Sequence, residues 1–273
     1  MGVTGRFEAG RKMYIIQTGM DVKIKPARPL RDLYTELADT YERTNRILTL
    51  GLDRIWRRRA ARRAAAGGGG LWLDVCSGTG EMAQDLSRRA PAGARIVAAD
   101  FSREMLAYAR TKSFAVPVVF VLADVKRLPL PDASVDLVTV SFATRNLTPS
   151  RDVLAATFCE FFRVLKPGGR FMNLETSQPR NAVVRMLFHA YAALVVKRLG
   201  FRLSGSRAGY AYLAASMRGF YGAAELAVIL GEAGFAPVTA APLMFGASAI
   251  HLALKPGPDP AAGLAPRRTP ART

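Results

Sequence analysis

Two glycines follow a short apolar segment and an aspartate in the stretch LWLDVCSGTGEMAQDL, residues 71–86. Residues 71–75 are apolar on both faces, as in a buried strand of a parallel sheet, and a helical pattern begins at Glu81. Between them, Gly78 and Gly80 permit a tight turn that leaves backbone amides uncovered at the start of the helix. Such amides bind polar groups of nucleotide-like ligands, so we predict that both glycines contact a cofactor.

The carboxylates around this turn restrict which cofactor it holds. The spacing Gly78-x-Gly80-x-x-Ala83, with Asp100 twenty positions after Gly80, fits the dinucleotide-binding pattern, although a turn that only packs a helix on a sheet gives the same spacing. Asp100 ends the predicted strand 95–100 and can accept hydrogen bonds from both hydroxyls of a ribose. Asp74 would repel a pyrophosphate but would tolerate a sulfonium. We therefore favour S-adenosylmethionine, with Asp74 and Asp100 among its binding residues, over the NAD of a dehydrogenase.

A third carboxylate, Asp124, ends the predicted strand 118–124 and could accept a hydrogen bond from the amino group of an adenine. The alternative is an ordinary turn residue at a strand end. The next predicted strand, 135–143, runs into the segment SFATRNL. Because the carboxyl ends of parallel strands meet at the ligand crevice of an α/β sheet, we expect both segments to lie near the same cofactor.

Strands alternate with helices between residues 71 and 175, which is typical of an open parallel sheet with helices on both faces. Residues 170–175 are predicted to form a fifth strand, after a helix that is capped by Ser150 and ended by the KPGG of residues 166–169. Two further strands, 236–245 and 247–255, are separated by a short glycine-containing turn. The predicted fold is therefore Rossmann-like α/β, with a mostly parallel seven-stranded sheet and an antiparallel edge strand.

The length of 273 residues and the 50% hydrophobic content predict one large domain with short extensions. We place this domain at residues 30–255. It begins with a helical cover at 30–66, which a flexible joint, AAAGGGG at 64–70, connects to the first strand. Residues 1–29 are predicted to be a loosely ordered extension, and residues 256–273 a disordered, basic, proline-rich tail.

The formal net charge of +18 indicates an anionic partner, which nucleic acid, anionic lipid or an acidic ligand would satisfy. Aromatic side chains do not alternate with the basic ones as they do on single-strand-binding surfaces, so nucleic acid is disfavoured. The two cysteines and two histidines stand far apart and give neither a disulfide framework nor a metal site. We therefore predict that no metal takes part.

No secretory leader opens the chain, and the apolar segment 186–196 is shorter than the roughly 18–20 residues that cross a bilayer. A soluble cytoplasmic protein is therefore expected. Residues 182–203 combine apolar side chains with Arg185, Lys197 and Arg202, so this segment could lie peripherally on an anionic membrane. A helix that lines an acceptor pocket, or a contact between the copies of a homodimer, is an equally good interpretation.

Four segments of the chain are similar to the ubiquinone/menaquinone biosynthesis C-methyltransferase family: LDVCSGTGEMA, LADVKRLPLPDASVDLVTVSFATRNL, FFRVLKPGGRFMNLETSQP and YERTNRILTLGLDRIW. The first is common to class I methyltransferases, whereas the other three are more specific to this family. The similarity extends from about residue 33 to residue 255. It implies a class I methyltransferase fold and transfer of a methyl group from S-adenosylmethionine to a ring carbon of a prenylated quinol in respiratory quinone biosynthesis.

The resemblance also implies roles for residues of the cofactor pocket. Thr79 would contact the methionine end of the cofactor, and Asp100 its ribose. Asp124 and Val125 would frame the adenine, and Ser141, at the end of the fourth strand, would close the pocket.

On the acceptor side, the resemblance assigns catalysis to Arg145 and Asn146, and cover of the substrate to Tyr41 and Asn45. Arg145 would stabilise the phenolate of the acceptor, directly or through a water that acts as base, while Asn146 would orient the ring. An Arg-Asn pair that caps the helix after Ser150 is the alternative.

The chain departs from the family pattern at several positions. Glu42, Thr44 and Asp53 stand where Asp, Met and His are usual, and Cys76 and Ser77 replace small residues of the glycine loop. Asp53 leaves open which group acts as base and which acceptor is methylated.

Other functions remain open from the sequence. Another small phenolic or lipid acceptor, or RNA, would suit the same donor site, although the chain lacks the Asn/Asp-Pro-Pro-aromatic tetrapeptide of amino-group methyltransferases. An alternative of another class is a nonenzymatic nucleotide-binding regulator whose basic helix, residues 54–63, contacts DNA.

Overall fold

The computed structural model describes residues 15–18, 21–24, 30–37 and 40–257. Strands β1 (Ile15–Thr18) and β2 (Asp21–Ile24) pair with each other in an antiparallel ladder. The remainder of the predicted extension at 1–29, and residues 258–273 of the predicted tail at 256–273, lie outside the described residues, so the expectations about their order stay predictions.

The main sheet contains seven strands: β3 (Leu71–Val75), β4 (Arg95–Asp100), β5 (Val118–Leu122), β6 (Val135–Ser141), β7 (Leu165–Thr176), β8 (Val238–Leu243) and β9 (Ser248–Leu254). Their spatial order is β5-β4-β3-β6-β7-β9-β8. The first five in this order are parallel, whereas β9 runs antiparallel to both β7 and β8. The predicted Rossmann-like fold class is therefore confirmed, with an antiparallel hairpin at one edge.

The chain moves outward from β3 through β4 to β5 and then returns to the other side of β3 as β6. The connection from β3 to β4 and the connection from β6 to β7 lie on opposite faces of the sheet, since Met82 and Phe158 belong to the two different core clusters. A crevice consequently opens at the carboxyl ends of β3 and β6, where α/β sheets of this type bind ligands.

Five predicted strands differ from the structure at one or both ends. Those predicted at 236–245 and 247–255 are shorter, at Val238–Leu243 and Ser248–Leu254. The strand predicted at 118–124 ends at Leu122, and the one predicted at 135–143 ends at Ser141. Strand β7 begins at Leu165, earlier than the predicted residue 170, because Leu165 pairs with Val135 and the amide of Gly168 donates to the carbonyl of Lys255. The KPGG segment therefore extends the sheet, and the preceding helix ends before it.

The helices are α1 (Leu30–Leu37), α2 (Tyr41–Leu48), α3 (Leu52–Ala65), α4 (Glu81–Ser87), α5 (Arg103–Ala109), α6 (Arg151–Val164), α7 (Ala182–Tyr191), α8 (Lys197–Ser204), α9 (Arg207–Arg218) and α10 (Ala223–Glu232). A π-helical segment, Ala192–Val196, joins α7 to α8. Ser150 caps α6 as predicted, since its hydroxyl accepts from the amide of Val153 at 3.3 Å.

A hydrophobic core covers each face of the sheet. On one face Phe158 of α6 packs against Phe171 of β7, with ring centroids 5.6 Å apart. On the other face Ala60 of α3 and Met82 of α4 pack against Trp72 of β3. These side chains are at most 1% exposed, and full burial of one large apolar side chain contributes roughly 1.5–3 kcal/mol.

The predicted helical cover, residues 30–66, consists of α1, α2 and α3. Leu37 and Leu48 from the cover pack with Ala192, Tyr210 and Met217 in a third hydrophobic cluster. The cover is thus attached to helices that lie between β7 and β8 in the chain.

The glycine-rich segment 64–70, predicted to be a flexible joint, is held by the sheet. The Asp136 carboxylate accepts from the amides of Gly70 and Leu71, each at 2.9 Å. The guanidinium of Arg170 donates to the carbonyls of Gly68 at 2.6 Å and of Ala64 at 3.2 Å. Strands β6 and β7 therefore fix the point at which the cover enters the sheet.

Among the helices in the described ranges, none is by itself long and apolar enough to cross a bilayer; α9 and α10 meet that criterion jointly, across a bend of 83°.

Candidate active site

The loop after β3 owes its shape to residues in the left-handed region. Gly78 and Gly80 have φ of +52° and +79°, and Cys76 has φ of +51°. A β-carbon on Gly80 would lie 3.0 Å from that of Ala109, which packs behind the loop. Glycine is therefore required at Gly80 both by its backbone conformation and by its neighbour.

Asp100 holds the loop in this shape. Its carboxylate accepts from the amide of Gly78 at 2.8 Å and from that of Ser102 at 2.9 Å. Burial raises the pKa of Asp100, and these amides partly offset the effect. A carboxylate has about four acceptor positions, so Asp100 retains capacity for a ligand hydroxyl.

A cavity of about 320 Å³ lies against this loop. Its walls contain six of the predicted cofactor-binding residues: Gly78, Thr79, Asp100, Asp124, Val125 and Ser141. The volume lies within the usual range for small-molecule sites, roughly 300–1,000 Å³. We call this space the donor cavity.

Two predicted cofactor-binding residues are not on the wall of the donor cavity. The amide of Gly80 donates to the carbonyl of Ser77 at 2.8 Å, so it closes the turn. Asp74 lies beneath the loop, 1% exposed, and accepts from the hydroxyl of Thr139 at 2.6 Å. Burial raises the pKa of Asp74 to about 7. Asp74 can therefore influence a ligand only through its charge and the loop above it.

A second cavity, of about 360 Å³, opens beside the first and is predominantly apolar. It is lined by the predicted residues Tyr41, Asn45 and Arg145, and by Trp56, Leu187 and Phe188, to which the sequence assigned no individual role. Trp56 ends the family-specific segment YERTNRILTLGLDRIW, and the other two lie in segment 182–203, for which a helix lining an acceptor pocket was one interpretation. We call it the acceptor cavity. The two cavities share three wall residues, Tyr41, Arg57 and Phe142, which together form the partition between them.

Arg145 is held by a carboxylate that the sequence reasoning missed. Its Nη1 donates to Glu175 Oε1 at 2.6 Å and to the carbonyl of Phe142 at 2.7 Å, while its amide donates to Glu175 Oε2 at 3.2 Å. Glu175 is 1% exposed. Burial alone would lower the pKa of Arg145, but Glu175 and two nearby tyrosines raise it above its usual value. Arg145 is therefore a fixed cation on the acceptor side.

Asn146 connects the cover to the sheet. Its amide nitrogen donates to the hydroxyl of Tyr34 in α1 at 2.6 Å, and its side chain reaches the donor cavity. Burial raises the pKa of Tyr34 well above its usual value, so this hydroxyl stays protonated. The Arg145–Asn146 pair thus contacts Glu175 and Tyr34, whereas the cap of α6 is formed by Ser150.

Three further residues belong to the site. Glu81 lies on the donor cavity, Asp53 on the acceptor cavity, and Arg57 on both. Asp53 and Arg57 are four positions apart on one helix, so local spacing favours their contact, whereas no local spacing indicated that Glu81 would join them. Glu42, one of the departures from the family pattern, forms an ion pair with Lys112.

Comparison with known proteins agrees with this geometry. The model of the ubiE/COQ5 methyltransferase family matches residues 21–255. A demethylmenaquinone methyltransferase of Thermus thermophilus is 38% identical over 226 residues, which is 82% of this chain and all of that protein. A ubiquinone/menaquinone biosynthesis C-methyltransferase of Geobacter sulfurreducens is 34% identical over 81% of this chain and 86% of its own length.

Solved structures resemble the fold at lower identity. The methyltransferase in a Haloferax volcanii complex with the activator Trm112 superimposes with a TM-score of 0.57 at 18% identity, over 83% of this chain and 98% of that chain. The resemblance noted from the sequence is confirmed by the family match and by the relatives. The chain belongs to the ubiE/COQ5 methyltransferase family and is a methyltransferase.

Proposed function

We propose that the donor cavity binds S-adenosylmethionine and that the acceptor cavity binds the ring of a prenylated quinol, which is methylated on carbon. The observation that carries this proposal is the partition, because two cavities that share Tyr41, Arg57 and Phe142 bring a donor and an acceptor to one point. The names of the relatives, a demethylmenaquinone and a ubiquinone/menaquinone C-methyltransferase, support a quinol as acceptor.

The residues of the donor cavity suit this cofactor. Asp100 would accept from the ribose, Asp124 and Val125 would frame the adenine, and Thr79 would face the methionine end. The buried hydroxyl of Ser77 lies on the same wall and has no hydrogen-bond partner among the described residues. When bound, the sulfonium supplies an electrophilic methyl group. Because burial raises the pKa of Asp74 to about 7, this carboxyl group beneath the loop favours a cation in its ionised form.

On the acceptor side, the ring carbon becomes nucleophilic once the neighbouring hydroxyl has lost its proton. Arg145 would stabilise the resulting phenolate. Asn146, expected on the acceptor side, lines the donor cavity and not the acceptor cavity, so with its Tyr34 contact it would act from the donor side of the partition. Charge disappears during methyl transfer, so the apolar walls of the acceptor cavity lower the barrier relative to water. Alignment of the two reactants across the partition lowers it further.

The test is turnover with isotopically labelled S-adenosylmethionine and a panel of benzoquinols and naphthoquinols, read by mass spectrometry. Arg145→Ala should reduce turnover about 10²- to 10³-fold while the calorimetric affinity for the cofactor changes little. Loss of cofactor binding with unchanged turnover of the bound enzyme would contradict the role of Arg145. If none of these quinols were labelled, the proposal that a quinol is the methyl acceptor would be contradicted.

We also propose that the mouth of the acceptor cavity makes peripheral contact with an anionic membrane at the cytoplasmic face, from which the prenyl tail enters. Leu50 and Phe245 line the cavity and yet are 89% and 82% exposed. Exposed apolar groups of this size at a cavity mouth are typical of an interaction surface. Leu187 and Met244 continue the same apolar rim and are also exposed.

Charge favours a bilayer as the partner of this rim. The chain has no Asp or Glu between Glu175 and Glu225, and the cations of that interval are Arg180, Arg185, Lys197, Arg198, Arg202, Arg207 and Arg218. Anionic lipid attracts such a surface by about 1 kcal/mol per cation near the headgroups. Segment 182–203 therefore combines both functions considered for it, since its α7 part lines the cavity and its α8 part is basic.

Co-sedimentation with vesicles of anionic lipid, at low and high salt, tests this contact. Wild type should bind anionic vesicles in a salt-sensitive manner and neutral vesicles weakly, and Leu50→Ser with Phe245→Ser should reduce binding at both salt concentrations. Dimerisation seen by light scattering and abolished by the same two substitutions would show instead that a second copy covers the rim.

A further inference from the structure

Arg57 occupies a position in the site that no other described arginine shares. It lines both the donor and the acceptor cavity, whereas Arg145 lines the acceptor cavity and a separate space of about 20 Å³ next to Tyr34. Methyl transfer across the partition takes place where both cavities meet. Arg57 is therefore the cation placed at that point.

Two carboxylates from different helices hold the guanidinium of Arg57. Its Nη1 lies 2.8 Å from Asp53 Oδ2 and 2.9 Å from Glu81 Oε2. Its central carbon lies 5.3 Å from the centroid of the Phe142 ring, which is the third member of the partition. A planar guanidinium that is bound on one edge and packed against a ring has a defined orientation, so its position does not depend on a ligand.

Arg57 also keeps its charge in this place. It is 5% exposed, and although burial alone would lower its pKa, Glu81 and Asp53 raise it above the usual value. The other charged groups around the cluster are Arg46, which lies 3.8 Å from Glu81 with 43% of its side chain exposed, and the Glu42–Lys112 pair. Asp53 and Glu81 offset the positive charge of Arg57, but both contact Nη1, and a guanidinium has five N–H donors, so Arg57 retains donors for negative charge that develops at the partition.

We propose that Arg57 is a second catalytic cation, which binds the oxygen adjacent to the carbon that is methylated and stabilises its negative charge together with Arg145. This inference rests on the proposed function. The hydroxyl proton leaves to solvent, an electron pair of the ring carbon forms the new C–C bond, and the S–C pair remains on sulfur as a thioether. Loss of the ring proton and reprotonation of the oxygen restore the quinol, with one proton released overall.

The test compares Arg57→Met and Arg57→Lys with Arg54→Met, an exposed arginine of the same helix that lies on neither cavity. Arg57→Met should lower kcat at saturating donor about 10²-fold, while the calorimetric Kd for S-adenosylmethionine changes less than about threefold. Arg57→Lys should recover part of the loss, and Arg54→Met should match wild type.

Asp53→Asn separates catalysis from scaffolding, because it loosens the ion pair but keeps the guanidinium at the partition. We expect it to lose far less turnover than Arg57→Met. Equal losses in these two variants, or a fall in thermal stability that accounts for the lost activity of Arg57→Met, would overturn the proposal.

A binding measurement distinguishes failure of this inference from failure of the proposed function. An anionic hydroxynaphthoquinone, titrated by absorbance, should bind wild type about tenfold more tightly than Arg57→Met. Equal affinity overturns the role of Arg57 even if quinols are methylated. Tight, Arg57-dependent binding of the probe without methylation of any quinol supports Arg57 as an anion-binding residue and rejects the proposed acceptor.

Discussion

On the donor side of the site, the ligand-facing geometry comes from backbone: a loop with positive φ at Gly78 and Gly80, and the ends of β3, β4 and β6. On the acceptor side it comes from long side chains of separate elements, held by ion pairs and hydrogen bonds such as Arg145–Glu175 and Arg57–Glu81. The donor side is therefore fixed by local conformation. The acceptor side depends on contacts between residues that are distant in the chain. Substitutions that break these contacts should therefore lower the free energy of unfolding and the turnover.

The largest effect should come from breaking the buried pair on the acceptor side. Glu175→Ala leaves the Arg145 guanidinium buried without its carboxylate, which should lower the free energy of unfolding by about 3–5 kcal/mol. Urea denaturation followed by circular dichroism measures this. The matched control is Glu232→Ala, which removes an ion pair whose side chains are 40% and 50% exposed and should cost at most about 1 kcal/mol. If both variants lost a similar free energy of unfolding, burial of the Arg145–Glu175 pair would not increase its contribution to stability.

On the donor side, a side chain at Gly80 should affect binding more than turnover. Gly80→Val places a β-branched residue at φ +79° and against Ala109, and such strain costs about 1–3 kcal/mol. We expect a 10- to 100-fold weaker Kd for S-adenosylmethionine by calorimetry, in line with about 1.4 kcal/mol per tenfold. Gly93→Val has the same strain, at φ +80°, with no neighbour within 4 Å. It should lower stability and leave cofactor affinity unchanged.

A smaller, pH-dependent effect should come from Asp74. Burial raises its folded pKa to about 7 from the ordinary value of 3.8. Between these values the folded protein holds a proton that the unfolded chain has lost, so this group makes the free energy of unfolding fall as pH rises from about 4 to about 7. Asp74→Asn should remove that slope, which is at most about 1.4 kcal/mol per pH unit. Denaturation series across this range measure it.

Asp136 is a control for that experiment, because its pKa shift and its effect on the pH dependence of stability have the opposite sign. Burial of its carboxylate is outweighed by Lys166 and by the amides of Leu71 and Gly70, so its pKa is lowered. Its stabilising contribution is present above its ordinary pKa and is lost as pH falls towards the lowered value. Asp136→Asn should therefore reduce stability at neutral pH and flatten the loss in acid. If Asp74→Asn and Asp136→Asn changed the pH dependence of the free energy of unfolding in the same direction, the pKa shifts assigned to the two carboxyl groups would be contradicted.

The same difference between the two sides explains what the sequence could predict. Local patterns predict the strands and the glycine loop. They also predict Asp100 and Asp124, because each lies at or just after the end of a strand. Glu175 and Tyr34 were missed because they meet Arg145 and Asn146 across 30 and 112 positions of the chain. Asp74 was expected on the cavity wall, but the alternation of side chains along β3 places it beneath the loop.

The π-helical turn at Ala192–Val196 interrupts one long helix. An extra residue in a turn rotates everything after it by about 100°. The π-helical turn therefore sets the fixed angular offset between Phe188 and Tyr191, which line the acceptor cavity, and Lys197 and Arg198, which face water. Deletion of one residue from this turn would restore the regular α-helical phase and rotate Lys197 and Arg198 away from the direction that they now face.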